Sequence, residues 1–125
     1  VAVPKDNDTD PLLLTSEFGY AEVLQSLLRP YLSEGYPNAS LAADLMDTSV
    51  RSLARKLKSE GKSYRALVDD LRFTEARRQL RPSSARISDV AASVGFSDTS
   101  HFARMFRRIG GLSPREYRES FRDSR

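Results

Sequence analysis

Apolar positions along this chain recur at three- and four-residue intervals, the spacing that puts side chains on one face of a helix, and no segment alternates as a strand does. In the stretch Gly95 to Arg118, GFSDTSHFARMFRRIGGLSPREYR, Phe102, Met105, Phe106 and Ile109 form an inward stripe. Ser100, Ala103, Arg104 and Arg107 repeat that spacing on the opposite side, where small and basic side chains can lie against a surface. Gly110 and Gly111 can end this helix in the left-handed conformation, with Leu112 folding back on its last turn. Ser113, Pro114 and Glu116 then read as cap, first helical position and capping box of a short terminal helix running to about Phe121.

The pattern recurs forty-nine residues upstream, where Ala42 to Lys58 (AADLMDTSVRSLARKLK) lies over Ala91 to Arg107 (AASVGFSDTSHFARMFR). Alanines coincide at 42/91, 43/92 and 54/103; Arg55 meets Arg104, Leu53 meets Phe102, Leu57 meets Phe106 and Lys58 meets Arg107. Both the buried and the outward stripes stay in register, which identifies an internal duplication of a helix, turn, helix unit. In this register Met46 stands where the second copy has Gly95.

The remaining segments fill in around the two copies. Tyr20, Val23, Leu24, Leu27, Leu28 and Tyr31 predict a helix over Glu17 to Leu32, capped by Thr15 or Ser16, that Pro30 should kink or end. Asn38 can cap a helix from Ala39 to Met46, and Thr48 or Ser49 the next one, which Gly61 ends. Ser63 caps a longer helix with Tyr64, Leu67, Val68, Leu71, Ala76 and Leu80 inside, closed by Pro82. Seventeen or so residues make it a rod of roughly 25 Å. Ile87, Val90, Ala91 and Val94 give the buried side of the first helix of the second copy. Residues 1–16, rich in Pro, Asp, Asn and Thr, have no period and read as a flexible tail or interdomain linker. The chain starts at Val1 and not at Met, so a fragment or processed product is expected, with a sensor domain upstream. The organisation expected is thus a tail over 1–16, a first lobe over 17–62, a connecting helix over 63–81 and a second lobe over 82–125.

Charge sharpens this picture. The net formal charge is only +3, yet residues 1–50 carry 2 basic and 8 acidic side chains while residues 51–125 carry 18 and 9. The basic excess falls on the duplicated units, as expected of a nucleic-acid binder. There is no cysteine, hence no disulfide or thiolate metal site, which suits a reducing cytoplasm. No apolar run is long enough to span a membrane.

At Ile87 to Arg118 the residues I, VA, VGF, S, HF, R, F, R, G, LSP and YR resemble the signature of the AraC/XylS family of bacterial transcription regulators. The likeness covers roughly residues 37–121 and is tightest in the second copy. It implies an all-α domain of about seven helices, in which two homeodomain-like helix-turn-helix lobes are joined by one long linker helix. The function it implies is sequence-specific binding of double-stranded DNA in transcription regulation, activation included, in the cytoplasm at the nucleoid. Two recognition helices would enter successive major grooves, which repeat every ~34 Å on one face of DNA. By matching positions, the resemblance implies that Arg51, Ala54 and Arg55 in the first unit and Thr99, Ser100, Ala103 and Arg104 in the second face the bases. An arginine can bond O6 and N7 of guanine together, whereas an alanine can only touch a thymine methyl. Lys56, Lys58, Lys62, Arg86, Arg107 and Arg108 are candidates for phosphate contacts, which set affinity and salt dependence rather than sequence preference. Arg115, Arg118 and Arg122 read as solvated, and Arg72 as a structural ion-pair partner.

Catalysis finds little support. His101 is the single histidine and has no metal-ligand set beside it, Asp69 and Asp70 point about 100° apart on a helix, and no phosphate-binding glycine loop is present. No cofactor is implied. The alternative reading is a helical interaction module that contacts RNA polymerase or another regulator. No dimer surface is evident, so the domain is expected to be monomeric, with any dimerisation in a missing sensor domain.

Overall fold

The computed structural model describes residues 19–81 and 84–123, with side chains through Phe121. Among them are seven α-helices and no strand: α1 Tyr20–Leu28, α2 Ala39–Leu45, α3 Val50–Ser59, α4 Tyr64–Leu80, α5 Ile87–Ser93, α6 Thr99–Gly110 and α7 Pro114–Asp123. The expected tail over 1–16, the caps Thr15 and Ser16, Pro82 and the side chain of Arg122 lie outside the described residues. Among the described residues two compact units are formed, one by residues 19–30 and 37–67, the other by 31–36, 68–81 and 84–123. The helix expected to connect the two lobes, α4, is divided between these units. α4 starts in the first unit, and from Val68 onward it belongs to the second.

In the first unit α1, α2 and α3 pack on one another. Leu24 and Leu28 of α1, Ala42 and Ala43 of α2, Met46, and Leu53 and Leu57 of α3 are all buried. α1 is shorter than its hydrophobic pattern predicts. It starts after Gly19, and at Arg29 the chain tightens into a 3₁₀ turn, Arg29–Glu34, because Pro30 has no N–H to continue the α ladder. The free N–H groups of its first turn find a distant acceptor: Tyr20 N and Ala21 N donate to the Glu60 carboxylate at 3.2 and 3.4 Å. Burial and that carboxylate together push the Tyr20 hydroxyl above its ordinary pKa.

The second unit is built on aromatic rings. Phe73, Ala76 and Leu80 of α4 join Val90, Ala91 and Val94 and the buried Phe102, Met105 and Phe106 of α6 in one core. Phe106 stands at its centre, with ring centroids 4.8 Å from Phe73, 5.8 Å from Phe102 and 5.5 Å from Tyr117. Arg72 is buried with its guanidinium 4.0 Å from the Phe96 ring centroid and 5.0 Å from that of Tyr36, so cation–π stacking holds it in place. Arg118 departs from the solvated reading: it is half-buried, and its Nε donates to the Leu80 carbonyl at 3.4 Å, closing the end of α4. α6 ends as expected at Gly111, whose φ is 87° and whose N–H returns to Arg107 O at 2.8 Å. Leu112, which follows, is 40% exposed. Gly110 serves packing instead, since a side chain there would meet the Phe73 ring at 2.6 Å.

The two helix-turn-helix repeats correct the register drawn from sequence. α2 and α5 each end in a Schellman motif. Thr48 N donates to Ala43 O and Phe96 N to Ala91 O, both at 2.9 Å, with the left-handed residue at Asp47 (φ 56°) and at Gly95 (φ 92°). The buried sets are Ala42, Ala43 and Met46 in the first copy and Val90, Ala91 and Val94 in the second. Met46 thus corresponds to Val94 and Asp47 to Gly95; the first helices are related by forty-eight residues, the recognition helices by forty-nine. The alanine matches 42/91 and 43/92 are one position out, because the second turn holds one more residue, five between α5 and α6 against four between α2 and α3.

Asp47 can replace glycine because aspartate tolerates the left-handed region better than most residues. Gly95 has a second constraint. A methyl group there would lie 2.6 Å from Leu32 O and 3.0 Å from the Gly35 carbonyl. Gly95→Ala is expected to lower stability by at least the 1 to 3 kcal/mol of a strained left-handed residue, read as a melting midpoint lowered by about 4 to 8 °C per kcal/mol. An unchanged melt would show that the Leu32–Gly35 segment does not press on the turn.

Candidate nucleic-acid interface

Each recognition helix is fixed at its start by a side-chain cap. Ser49 Oγ accepts from Ser52 N at 3.1 Å, and Asp98 Oδ1 accepts from Ser100 N at 2.8 Å and His101 N at 3.4 Å. Those backbone bonds, first Ser100 and then His101, hold the Asp98 carboxyl below the usual carboxylate range, with smaller help from the charges of His101 and Arg104. Asp98 therefore stays ionised at the foot of α6, where the helix dipole favours a negative charge.

On α3 the outward stripe is continuous: Arg51, Ala54, Arg55 and Lys58 are all exposed. Arg55 Nη2 donates to Ser52 Oγ at 3.3 Å, which engages one edge of the guanidinium one turn back along its own helix. On α6, Thr99, Ser100, Arg104 and Arg107 are exposed and Ala103 is half-buried. The base-facing residues expected from the sequence thus fall into two sets, one per unit, each on the outward side of a helix whose inward side is core.

The phosphate candidates separate into two groups. Lys58, the last member of the α3 stripe, and Lys62, three residues past the end of α3, are exposed. Arg107 pairs with Glu116 at 3.3 Å and Arg86 with Asp89 at 3.9 Å, both between exposed side chains where the pairing is weak and exchangeable. Arg108 is held by Asp69 at 3.1 Å, and Asp69 is largely covered, so this guanidinium is turned to α4. The Lys56 ammonium lies 5.7 Å from the Tyr20 ring centroid, at a cleft of about 430 Å³ lined by Tyr20, Ser52, Arg55 and Ser59. Two residues had not been singled out in the sequence. Glu60 carries the α1 capping, and Val50, the first residue of α3, is 46% exposed.

Among the described residues no three His, Cys, Asp or Glu side chains gather as they would around a metal ion, and no helix is long and apolar enough to cross a membrane.

Two repeats of helix, turn and basic outward-facing helix define a tandem helix-turn-helix domain. A family model described as a helix-turn-helix domain matches residues 42–120. Among curated proteins the chain is similar to the transcriptional activator RhaS of Escherichia coli, 40% identical over 83 residues that make up 66% of this chain and 30% of that protein. Among solved structures it resembles the transcriptional regulator CdpR of Pseudomonas aeruginosa, with a TM-score of 0.73 and 35% identity over 87% of this chain and 35% of that one. An AraC-type regulator of Chromobacterium violaceum gives a TM-score of 0.72 and 27% identity over 78% of this chain and 88% of that one. The chain belongs to the AraC/XylS family of helix-turn-helix transcription regulators. It spans 25% to 30% of the length of the curated relatives it matches.

Proposed function

We propose that this domain binds double-stranded DNA sequence-specifically to regulate transcription, with α3 and α6 each entering a major groove. The observation that carries the proposal is the pair of capped helices with matched outward stripes, Arg51, Ala54 and Arg55 on one and Ser100, Ala103 and Arg104 on the other. A guanidinium beside a small side chain lets a helix approach base edges and bond guanine through two atoms, and a groove about 12 Å wide admits one such helix. In this reading Arg55 and Arg104 discriminate bases, Ala54 and Ala103 give close approach, and Arg51, Thr99 and Ser100 contribute further edge contacts.

Lys56, Lys58, Lys62, Arg86, Arg107 and Arg108 are assigned to phosphates; Lys56 lies beside the Tyr20 ring, and Arg108 would exchange Asp69 for a phosphate oxygen. The proposed activity is binding and not catalysis, and its setting is the bacterial cytoplasm. RhaS is named as an activator, and the same sign of regulation is proposed here, with contact to RNA polymerase as its means. The domain is proposed to act as a monomer on a two-part site.

The proposal is tested by the salt dependence of binding to duplex DNA. Each phosphate contact contributes about 0.9 to the slope of log K against log salt concentration. The variant carrying Lys58→Ala and Lys62→Ala should therefore bind with a slope shallower by about 1.8 and with its sequence preference intact. A slope unchanged by both substitutions would remove these lysines from the interface, and absence of any duplex binding at low salt would favour the interaction-module reading.

A further inference from the structure

Val50 begins α3 directly after its cap Ser49, as Thr99 begins α6 after Asp98. The two positions are therefore equivalent in the forty-nine-residue register that holds for the recognition helices. Valine and threonine have nearly the same shape and differ by a methyl in place of a hydroxyl. The family resemblance assigns Thr99 to the bases and leaves its counterpart in the first unit without a role.

The surroundings of Val50 make this position informative. The exposed large apolar side chains among the described residues are Tyr36, Val50 and Leu112. Tyr36 lies beneath the Arg72 guanidinium and Leu112 follows the end of α6. Only Val50 belongs to a recognition helix. One turn on, at the four-residue spacing that places side chains on one face, comes Ala54, also exposed. Val50 and Ala54 make a short apolar strip along one edge of the outward face, and Arg51, Arg55 and Lys58 lie beside it. A strip bordered by cations fits a surface that is polyanionic overall and carries one apolar group at a fixed place. In the major groove that group is the 5-methyl of thymine; every other base edge there offers donors and acceptors that a valine leaves unmet.

We propose that Val50 is a specificity-determining residue of the first helix-turn-helix, packing its branched methyls against the 5-methyl group of a thymine. The inference rests on DNA binding as proposed above. At this position the first unit is left with a purely apolar contact, whereas Thr99 in the second can also bond a polar base edge.

The test replaces thymine by deoxyuridine, which deletes the methyl and keeps every Watson–Crick and major-groove hydrogen-bonding group. The 125-residue chain is titrated with its selected duplex and with a series in which each thymine of the first half-site is changed in turn. Val50→Ala, an exposed substitution whose fold is checked by circular dichroism, is titrated with the same series. At one position deoxyuridine should weaken the wild-type complex about fourfold, the equivalent of ~0.8 kcal/mol for one buried methyl group, and the same substitution should leave the Val50→Ala complex unchanged, whatever the effect at a thymine that Ala54 touches. Equal binding of the wild type to every duplex overturns the inference, as does a Val50→Ala variant that keeps every methyl effect of the wild type undiminished, or a first half-site without thymine. In each of these results specific DNA binding survives. Failure of the wild type to select any sequence would instead overturn the function on which the inference rests, and the inference with it.

Discussion

Phe106→Ala is expected to cost about 3 to 5 kcal/mol, the range for deleting a buried aromatic side chain and leaving the space unfilled. Phe106 is 1% exposed and its ring meets three others, those of Phe73 on α4, Phe102 on α6 and Tyr117 on α7. Their positions are set by one another, so truncation removes contacts from three helices together. Domains of this size hold only about 5 to 15 kcal/mol in total. The variant should therefore unfold at much lower urea, with amide protection in α5, α6 and α7 lost first. Phe106→Leu, which keeps most of the volume, should cost clearly less. Equal and small costs for both would show that the aromatic cluster is not what holds the second unit.

Replacing Arg55 and Arg104 together by alanine should weaken specific DNA binding by about thirtyfold to about 10⁴-fold. Each bidentate arginine–guanine contact discriminates by ~1 to 3 kcal/mol, and two contacts in separate units should add. Both side chains are exposed and neither is part of a core, so stability should change little. Arg55→Lys and Arg104→Lys sharpen the test, because lysine keeps the charge and lacks the planar fork. They should retain nonspecific affinity and salt dependence while losing preference for the site. Arg115→Ala, at the exposed start of α7, is the control and should bind as the wild type does. If the double alanine variant binds its site as tightly as the control does, α3 and α6 do not read bases.

Much of this fold is written locally, and those parts were legible in the sequence. Asn38, Ser49, Ser63 and Ser113 cap the helices they were expected to cap, because a cap acts within three residues of itself. The inward stripes of α3 and α6 follow from the helical period alone, and the outward stripes follow by subtraction. What escaped depends on contacts between residues far apart. Glu60 caps α1 from forty residues away, Arg72 is stacked on Phe96, and Arg118 closes the end of α4 at Leu80; sequence spacing carries no mark of any of these.

The slip between the repeats is instructive for a different reason. An ungapped overlay rewards the strong recognition-helix match, and two adjacent alanines in each copy hide the missing residue. Only the backbone shows that Asp47 occupies the place of Gly95. The same correction leaves α3 and α6 aligned, which is why the candidate site survived it and why Val50 can be matched to Thr99.

The most direct test of the central claim is selection from random duplex DNA of about 30 base pairs at near-physiological salt, using the 125-residue chain and each single arginine variant. Two short motifs should emerge about one helical turn apart. Arg55→Ala should blur one of them and Arg104→Ala the other. Recovery of a single motif blurred equally by both variants, or salt-sensitive binding with no sequence enriched, would contradict the account of two helices that each read their own groove.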